Sequence, residues 1–231
     1  MDQQPSDFSA APPPPSSTIS PAWEDESRPI FDRWKDTVIA VFTGPTAFFD
    51  SMRQEGGIGA PLVFGIVGGW IGLAAAQVWS FIGTLLHIGM FQFMSPARFG
   101  FRVGTTFIGT ACGVILTPVV VVFALFVISG ILHLCLMLVG GAKRPFETTF
   151  RVVAYVYGSV VLLNLVPVRG GPIGAVCALV LYVIGFSRAH RIETWRALVA
   201  VLIPVAVGSI CCILALTLGV LGAAAVMNGG R

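Results

Sequence analysis

The sequence predicts an all-α polytopic membrane protein with five transmembrane helices, the N-terminus cytoplasmic and the C-terminus outside. Three observations predict it. Of the 231 residues, 55% are hydrophobic and only 11% are charged, whereas a soluble domain carries about 25% charged residues. Long runs of the chain hold no charge at all. The basic residues collect beside those runs in an alternating pattern that bilayer topology explains.

The charge is unevenly spread. Residues 1–27 carry Asp2, Asp7, Glu24, Asp25 and Glu26 and no Lys or Arg. The rest of the chain is therefore strongly basic. That excess lies beside apolar spans, so anionic lipid headgroups are expected as partners, and nucleic acid is not. No secretory signal is visible, because the first 20 residues are acidic and Pro-rich. Cys112, Cys135, Cys177, Cys211 and Cys212 all fall in apolar runs without metal-site spacing. The vicinal pair reads as two small apolar helix residues.

Residues 1–27, with four consecutive prolines at 12–15, are expected to be a disordered acidic tail with polyproline II character. Residues 28–55 are expected to form amphipathic interfacial helices. Phe31, Trp34, Val38, Val41 and Phe42 recur at helical spacing, with Asp32, Arg33, Lys35 and Asp36 opposite. Gly44-Pro45 breaks this helix, and Phe48, Phe49 and Met52 start another. The alternative is packing on the protein's own core.

The transmembrane domain is expected over residues 56–227, with spans at about 61–90, 105–139, 147–167, 172–187 and 196–226. Gly65-x-x-x-Gly69 and Gly68-x-x-x-Gly72 on the first span would permit close helix approach. His87 near its end reads as an interfacial residue. Residues 91–104 form an amphipathic connection with Arg98 and Arg102, and Ser95-Pro96 reads as a helix start.

The second run is too long for a bilayer. At about 1.5 Å per residue it exceeds roughly 50 Å, against about 30 Å of hydrocarbon. A tilt, or a kink at Pro118, is expected. His133 lies deep in it, with Asn164 as the expected partner. The third span opens at Pro145 with Glu147 in its first turn. It ends in the turn Pro167-Val168-Arg169-Gly170-Gly171-Pro172. The charge-free part of the fourth, residues 173–187, is short for a full crossing. Pro204 allows a bend in the fifth, and residues 228–231 are a short tail.

Five spans place ten basic residues on one side and four on the other. The ten are Arg28, Arg33, Lys35, Arg53, Lys143, Arg144, Arg151, Arg188, Arg191 and Arg196. The four are Arg98, Arg102, Arg169 and Arg231. Splitting the second run at Pro118 would give six inside and eight outside, against the positive-inside rule.

Candidate chemistry is sparse. No carboxylate lies inside an apolar run, which argues against ion- and proton-coupled pumps. No zinc-protease, nucleophile-elbow, Walker or dinucleotide motif is present. Ser129, Ser159 and Ser209 read as interhelical hydrogen-bonding groups. No cofactor or metal is expected. His133, Tyr155, Tyr157 and Asn164 are the candidate intramembrane polar cluster, read as structural glue first and a solute path second. Trp34, Phe48, Phe49, Lys143, Arg144, Arg188 and Arg191 are the candidate lipid or partner contacts.

Certain segments also occur in a telling order. Phe42-Thr-Gly-Pro45 precedes Phe48-Phe49, and Gly59-Ala-Pro61-Leu62 opens the first span. Phe146-Glu-Thr-Thr-Phe150-Arg151-Val-Val-Ala-Tyr155 and Asn164-Leu-Val-Pro167 follow. Ile184-Gly185-Phe-Ser-Arg-Ala-His190 and Trp195-Arg-Ala197 lead into the last span. This order resembles the Yip1 domain family, the Yip1/Yif1-like multispanning proteins, over roughly residues 34–204. The resemblance implies five spans and a cytoplasmic N-terminus. In eukaryotes such proteins act in Golgi and endoplasmic reticulum trafficking and bind Rab-type GTPases. The D-L-Y-G-P segment of those members is missing, so GTPase binding is not carried over. The chain looks like the prokaryotic branch, which implies a bacterial inner membrane. The expected role is a non-enzymatic organiser that binds membrane lipids and an unidentified membrane or cytoplasmic protein, with self-association left open. The alternative is a small-solute channel or transporter.

Overall fold

The computed structural model describes residues 21–90, 96–167 and 170–229. All regular structure among them is helical. Helix α1 is Ile30–Thr43, α2 Pro45–Ser51, α3 Gly59–Met90, α4 Pro96–Leu138, α5 Phe146–Val160, α6 Gly170–Ala189 and α7 Thr194–Gly229. A short 3-10 turn, Ala22–Glu24, precedes α1, and another, Val161–Leu165, prolongs α5. Five segments are long and apolar enough to cross a membrane: 59–86, 100–138, 146–165, 170–189 and 194–219. With its turn, the third reaches 20 residues, and so does the fourth. At about 1.5 Å per helical residue, α6 matches roughly 30 Å of hydrocarbon. The side chain of His87, and those of Arg98, Arg169 and Arg231, lie outside the described residues, as do residues 1–20.

α5 is the hub. It packs on α3, α4 and α6, and most of its side chains from Thr148 to Val160 are buried. Glycines make the α3–α5 crossing close. A Cβ on Gly68 would lie 2.0 Å from the carbonyl oxygen of Gly158, and one on Gly72 would lie 2.1 Å from that of Val161. The small-residue spacing on the first span is thus the crossing itself. α7 packs on α4 and α6 through Ala197, Ala200 and Val201. Outward faces are apolar: Ile115, Val119 and Phe123 on α4, and Val205, Ile210, Ile213 and Leu216 on α7, are all exposed. This inside-out distribution suits lipid as the surrounding solvent.

α4 runs unbroken through Pro118. Proline donates no hydrogen bond to the carbonyl four residues back. The indole N–H of Trp70 donates to that carbonyl, on Val114, at 3.0 Å. Beside it, Thr117 Oγ1 donates to Gly113 O at 2.8 Å and accepts from Gln77 Nε2 at 2.9 Å. The backbone group freed by Pro118 is therefore satisfied from α3.

Two expectations about the N-terminal region do not hold. Residues 21–27 are not a tail: Trp23 is 5% exposed and sits against Phe64, ring centroids 5.7 Å apart. α2 is not interfacial. Phe48 and Phe49 are buried, against Tyr155 and against Gly185 respectively. An apolar helical face shows only that something apolar covers it, and here that is α5 and α6. α1 is intermediate. Thr37 and Val41 are fully buried, while Ile30, Phe31, Ile39 and Phe42 are exposed.

Candidate functional site

The helix ends place one polar region together. The α4–α5 loop, the α6–α7 loop and the N-terminal segment meet at one end of the bundle. Gly57 N–H donates to Glu147 Oε1 at 2.7 Å, Arg188 pairs with Asp50 at 3.6 Å, and Ile192 packs beside Gly141.

Arg151 stands two turns into α5, its side chain 1% exposed. Its Nη1 donates to Glu24 Oε1 at 2.8 Å, its Nε to Glu147 Oε1 at 3.2 Å, and its Nη2 to the Gly57 carbonyl at 2.7 Å. Tyr155, one turn further, donates its hydroxyl to the same Glu24 oxygen at 2.6 Å. Arg53 stands 3.8 Å from Glu24 Oε2. Two donors from consecutive turns of α5 thus converge on one carboxylate oxygen. Such a buried pair is held by geometry and full hydrogen bonding, since desolvating both charges offsets much of their attraction.

Trp23 anchors the same segment. Its indole N–H donates to the Ala60 carbonyl at 2.7 Å, and its backbone N–H donates to Thr37 Oγ1 at 2.9 Å. Arg33 bonds the Trp23 carbonyl through Nε at 2.9 Å and through Nη2, and lies over the indole. Residues 21–28 are therefore a strap joining α1 to the bundle. An open cleft of about 1020 Å³ runs beside it, lined among others by Glu24, Arg28, Phe48 and Arg53. Sequence reasoning placed Glu24 in a tail and counted Arg151 only for topology. The available signal was Glu147 and Arg151 at i,i+4 spacing, which left a cation in an apolar helix in need of more than one neighbour.

A second cluster lies where α4, α5 and α6 approach. Thr149 Oγ1 is 2.8 Å from His133 Nδ1 and 3.0 Å from His190 Nε2. A hydroxyl has one proton, so it donates to one ring and accepts from the other. His190 Nδ1 is buried without a partner among the described residues. A proton there would be an orphaned donor, which costs more than a bare ring nitrogen. Hence His190 carries its proton on Nε2 and donates to Thr149, which donates to His133. Burial, reinforced by His133 and Arg144, depresses the His190 imidazole to about 4.

The expected single cluster therefore divides. His133 pairs with Thr149 rather than Asn164. Tyr155 belongs to the Glu24–Arg151 cluster. Tyr157 packs against Gly69, and Asn164 lies in the 3-10 turn beside Gly171, at the other end of α5. Ser129 and Ser159 are buried without hydrogen-bond partners among the described residues, and Ser209 bonds its own helix at Val205. The interhelical role expected of these serines is therefore not what they do.

The contact candidates divide too. Phe48 and Phe49 are core residues, packed against Tyr155 and Gly185 rather than presented at the surface. Trp34 is half-buried beside Phe31, ring centroids 6.4 Å apart. Arg188 is tied to Asp50. Lys143 and Arg191 are exposed and Arg144 half-buried, and none of the three makes an ion pair among the described residues. Trp195 is exposed beside them, with Arg196 5.4 Å over its ring. No group of three or more His, Cys, Asp or Glu among the described residues could hold a metal ion.

This architecture has a named counterpart. The family model described as the Yip1 domain matches residues 39–225. The chain belongs to the Yip1 domain family. The match runs from within α1 to within α7, so the Yip1 domain includes all five long helices as well as α2. It begins after the strap, leaving Trp23 and Glu24 outside the matched region while their partner Arg151 lies inside it. Among curated proteins and solved structures, nothing matches this Yip1-domain chain.

Proposed function

We propose that this Yip1-family membrane protein is a non-enzymatic organiser with a cytoplasmic N-terminus, resident in a bacterial inner membrane. Its basic end engages anionic headgroups and a protein partner. The observation that carries the reading is the grouping of Lys143, Arg144 and Arg191 with the exposed Trp195. Three cations that make no ion pair among the described residues, next to an exposed Trp195 whose indole N–H is held by Glu193, make a surface for anionic lipid. The exposed edge of α1, Ile30, Phe31 and Phe42, lies at the same end and adds apolar contact. The solute-path alternative has less support, because the polar residues it needs fall into separate clusters.

The reading is tested in two steps. Reporter fusions after Arg53, Ala142 and Ala189 should report cytoplasm, and fusions after Ala97 and Arg231 the outside. A cytoplasmic C-terminus sinks the topology. Purified protein should then recruit phosphatidylglycerol over phosphatidylcholine in mixed nanodiscs. Neutralising Lys143, Arg144 and Arg191 together should abolish that preference in a variant of unchanged topology. An unchanged preference would refute the basic-end reading, and solute flux lost with His133→Leu would promote the transporter.

A further inference from the structure

We propose that the pocket formed by Arg151, Tyr155, Phe64 and Ala60 is a recognition site for an acidic–aromatic peptide, with residues 21–28 as its resident and displaceable occupant. The ligand class is an extended segment carrying Trp followed by Glu, presented in trans by a partner protein. The basic end used above plays no part in it.

Three features make the strap a guest rather than a structural element. It inserts only two large side chains, Trp23 and Glu24, while Asp25, Glu26 and Ser27 stay exposed. The pocket that takes the two side chains is built without it: Phe64 and Ala60 on α3 and Arg151 and Tyr155 on α5, locked together at Gly68 and Gly158, form its walls, and Thr37 and Arg33 of α1 hydrogen-bond only the strap backbone. The host also survives its departure. Arg151 keeps Glu147 and the Gly57 carbonyl when Glu24 leaves, so no buried cation is orphaned, which would be the costly outcome. What opens is one guanidinium N–H and the Tyr155 hydroxyl, aimed at a single anionic oxygen. The neighbouring cleft, with Arg53 beside Glu24, gives a replacement segment its approach.

A lipid phosphate would satisfy the same two donors. Two further bonds favour a peptide. Ala60 O accepts from an indole N–H, and Thr37 Oγ1 accepts from a backbone N–H. Both donors belong to a polypeptide, and a phospholipid headgroup with acyl chains offers no equivalent pair.

The test uses the full-length chain in nanodiscs and a labelled peptide of residues 19–30. In the wild type the tethered strap competes at a millimolar effective concentration, so added peptide should bind weakly. A chain carrying Trp23→Ala and Glu24→Gln should bind the peptide at least about tenfold more tightly. The same peptide with Glu24→Gln should bind about tenfold less tightly, as should the wild-type peptide to a chain that also carries Tyr155→Phe. Equal binding of both peptides overturns the proposal. So does displacement of the peptide by phosphatidylglycerol, which would assign the pocket to lipid. If the double variant does not fold, the wild type decides. About 5 mM peptide should accelerate hydrogen exchange at the Trp23 amide by exchanging with the strap, and unchanged exchange overturns the proposal.

Discussion

Glu24 and Arg151 lie 127 residues apart in the chain and meet at 2.8 Å with both side chains buried. This contact fastens the strap to the centre of the bundle. The two partners are not equivalent on removal. Glu24→Gln leaves Arg151 with Glu147 and Gly57, and should cost about 1–2 kcal/mol. Arg151→Met leaves the buried Glu24 with only the Tyr155 hydroxyl and the more distant Arg53, and takes a cation from Glu147 and a donor from the Gly57 carbonyl. It should cost about 3–5 kcal/mol. Thermal unfolding in one detergent should rank the variants in that order. Equal losses would mean that Arg151 draws its stability from Glu24 alone.

The α3–α5 crossing gives a second test. Gly68→Ala would place a methyl 2.0 Å from a backbone oxygen that cannot step aside, and should cost about 3 kcal/mol. Gly83, on the same helix, has open space where its Cβ would lie. Gly83→Ala should be neutral or stabilise by up to about 1 kcal/mol. A large loss at Gly68 and none at Gly83, for identical substitutions on one helix, would establish the crossing. A tolerated Gly68→Ala would place it elsewhere.

The spans were legible because each is a long run whose composition only a bilayer or a large core accepts. The crossing was legible too, since glycines four apart on a helix share a face. The strap was not. Residues 21–27 read as one Trp among acids and Pro, and nothing local says that a partner for Glu24 waits on α5. Phe48 and Phe49 mark an apolar face, but a face does not say whether lipid or α6 covers it. The partner of His133 depended on the relative depth of α4 and α5, which the run lengths leave free by a turn or more.

The histidine cluster predicts an acid limit. Burial disfavours charge on His190, lowering it from an ordinary 6.5 to about 4. The unfolded chain therefore binds a proton that the folded chain refuses between these values. The stabilisation is complete above about pH 6.5 and is lost progressively as pH falls toward 4. It is worth at most roughly 3 kcal/mol. Unfolding scans of the wild type and His190→Gln across this range should converge as the pH falls. Parallel curves would mean that His190 does not stay neutral. Thr149→Val should lower stability at neutral pH by about 1–2 kcal/mol by removing the hydroxyl between the rings, and Thr149→Ser should not.

Arg191 joins stability to the proposed lipid contact. It closes α6 with φ at +51°, the left-handed conformation usually reserved for glycine. The turn is completed by Ile192 N–H donating to Ser187 O at 3.0 Å. A side chain in this conformation costs about 1 kcal/mol. Glycine would remove that strain and still close the helix. Arg191 instead holds a charge at the tip of the α6–α7 loop, beside Lys143, Arg144 and Trp195. Arg191→Gly should therefore raise thermal stability by up to about 1 kcal/mol while weakening the preference for phosphatidylglycerol. Arg191→Lys should leave stability near wild type and keep most of that preference. A glycine variant that gains stability and loses no lipid preference would show that Arg191 does not serve headgroup binding. A glycine variant that loses stability would contradict the strain at this turn.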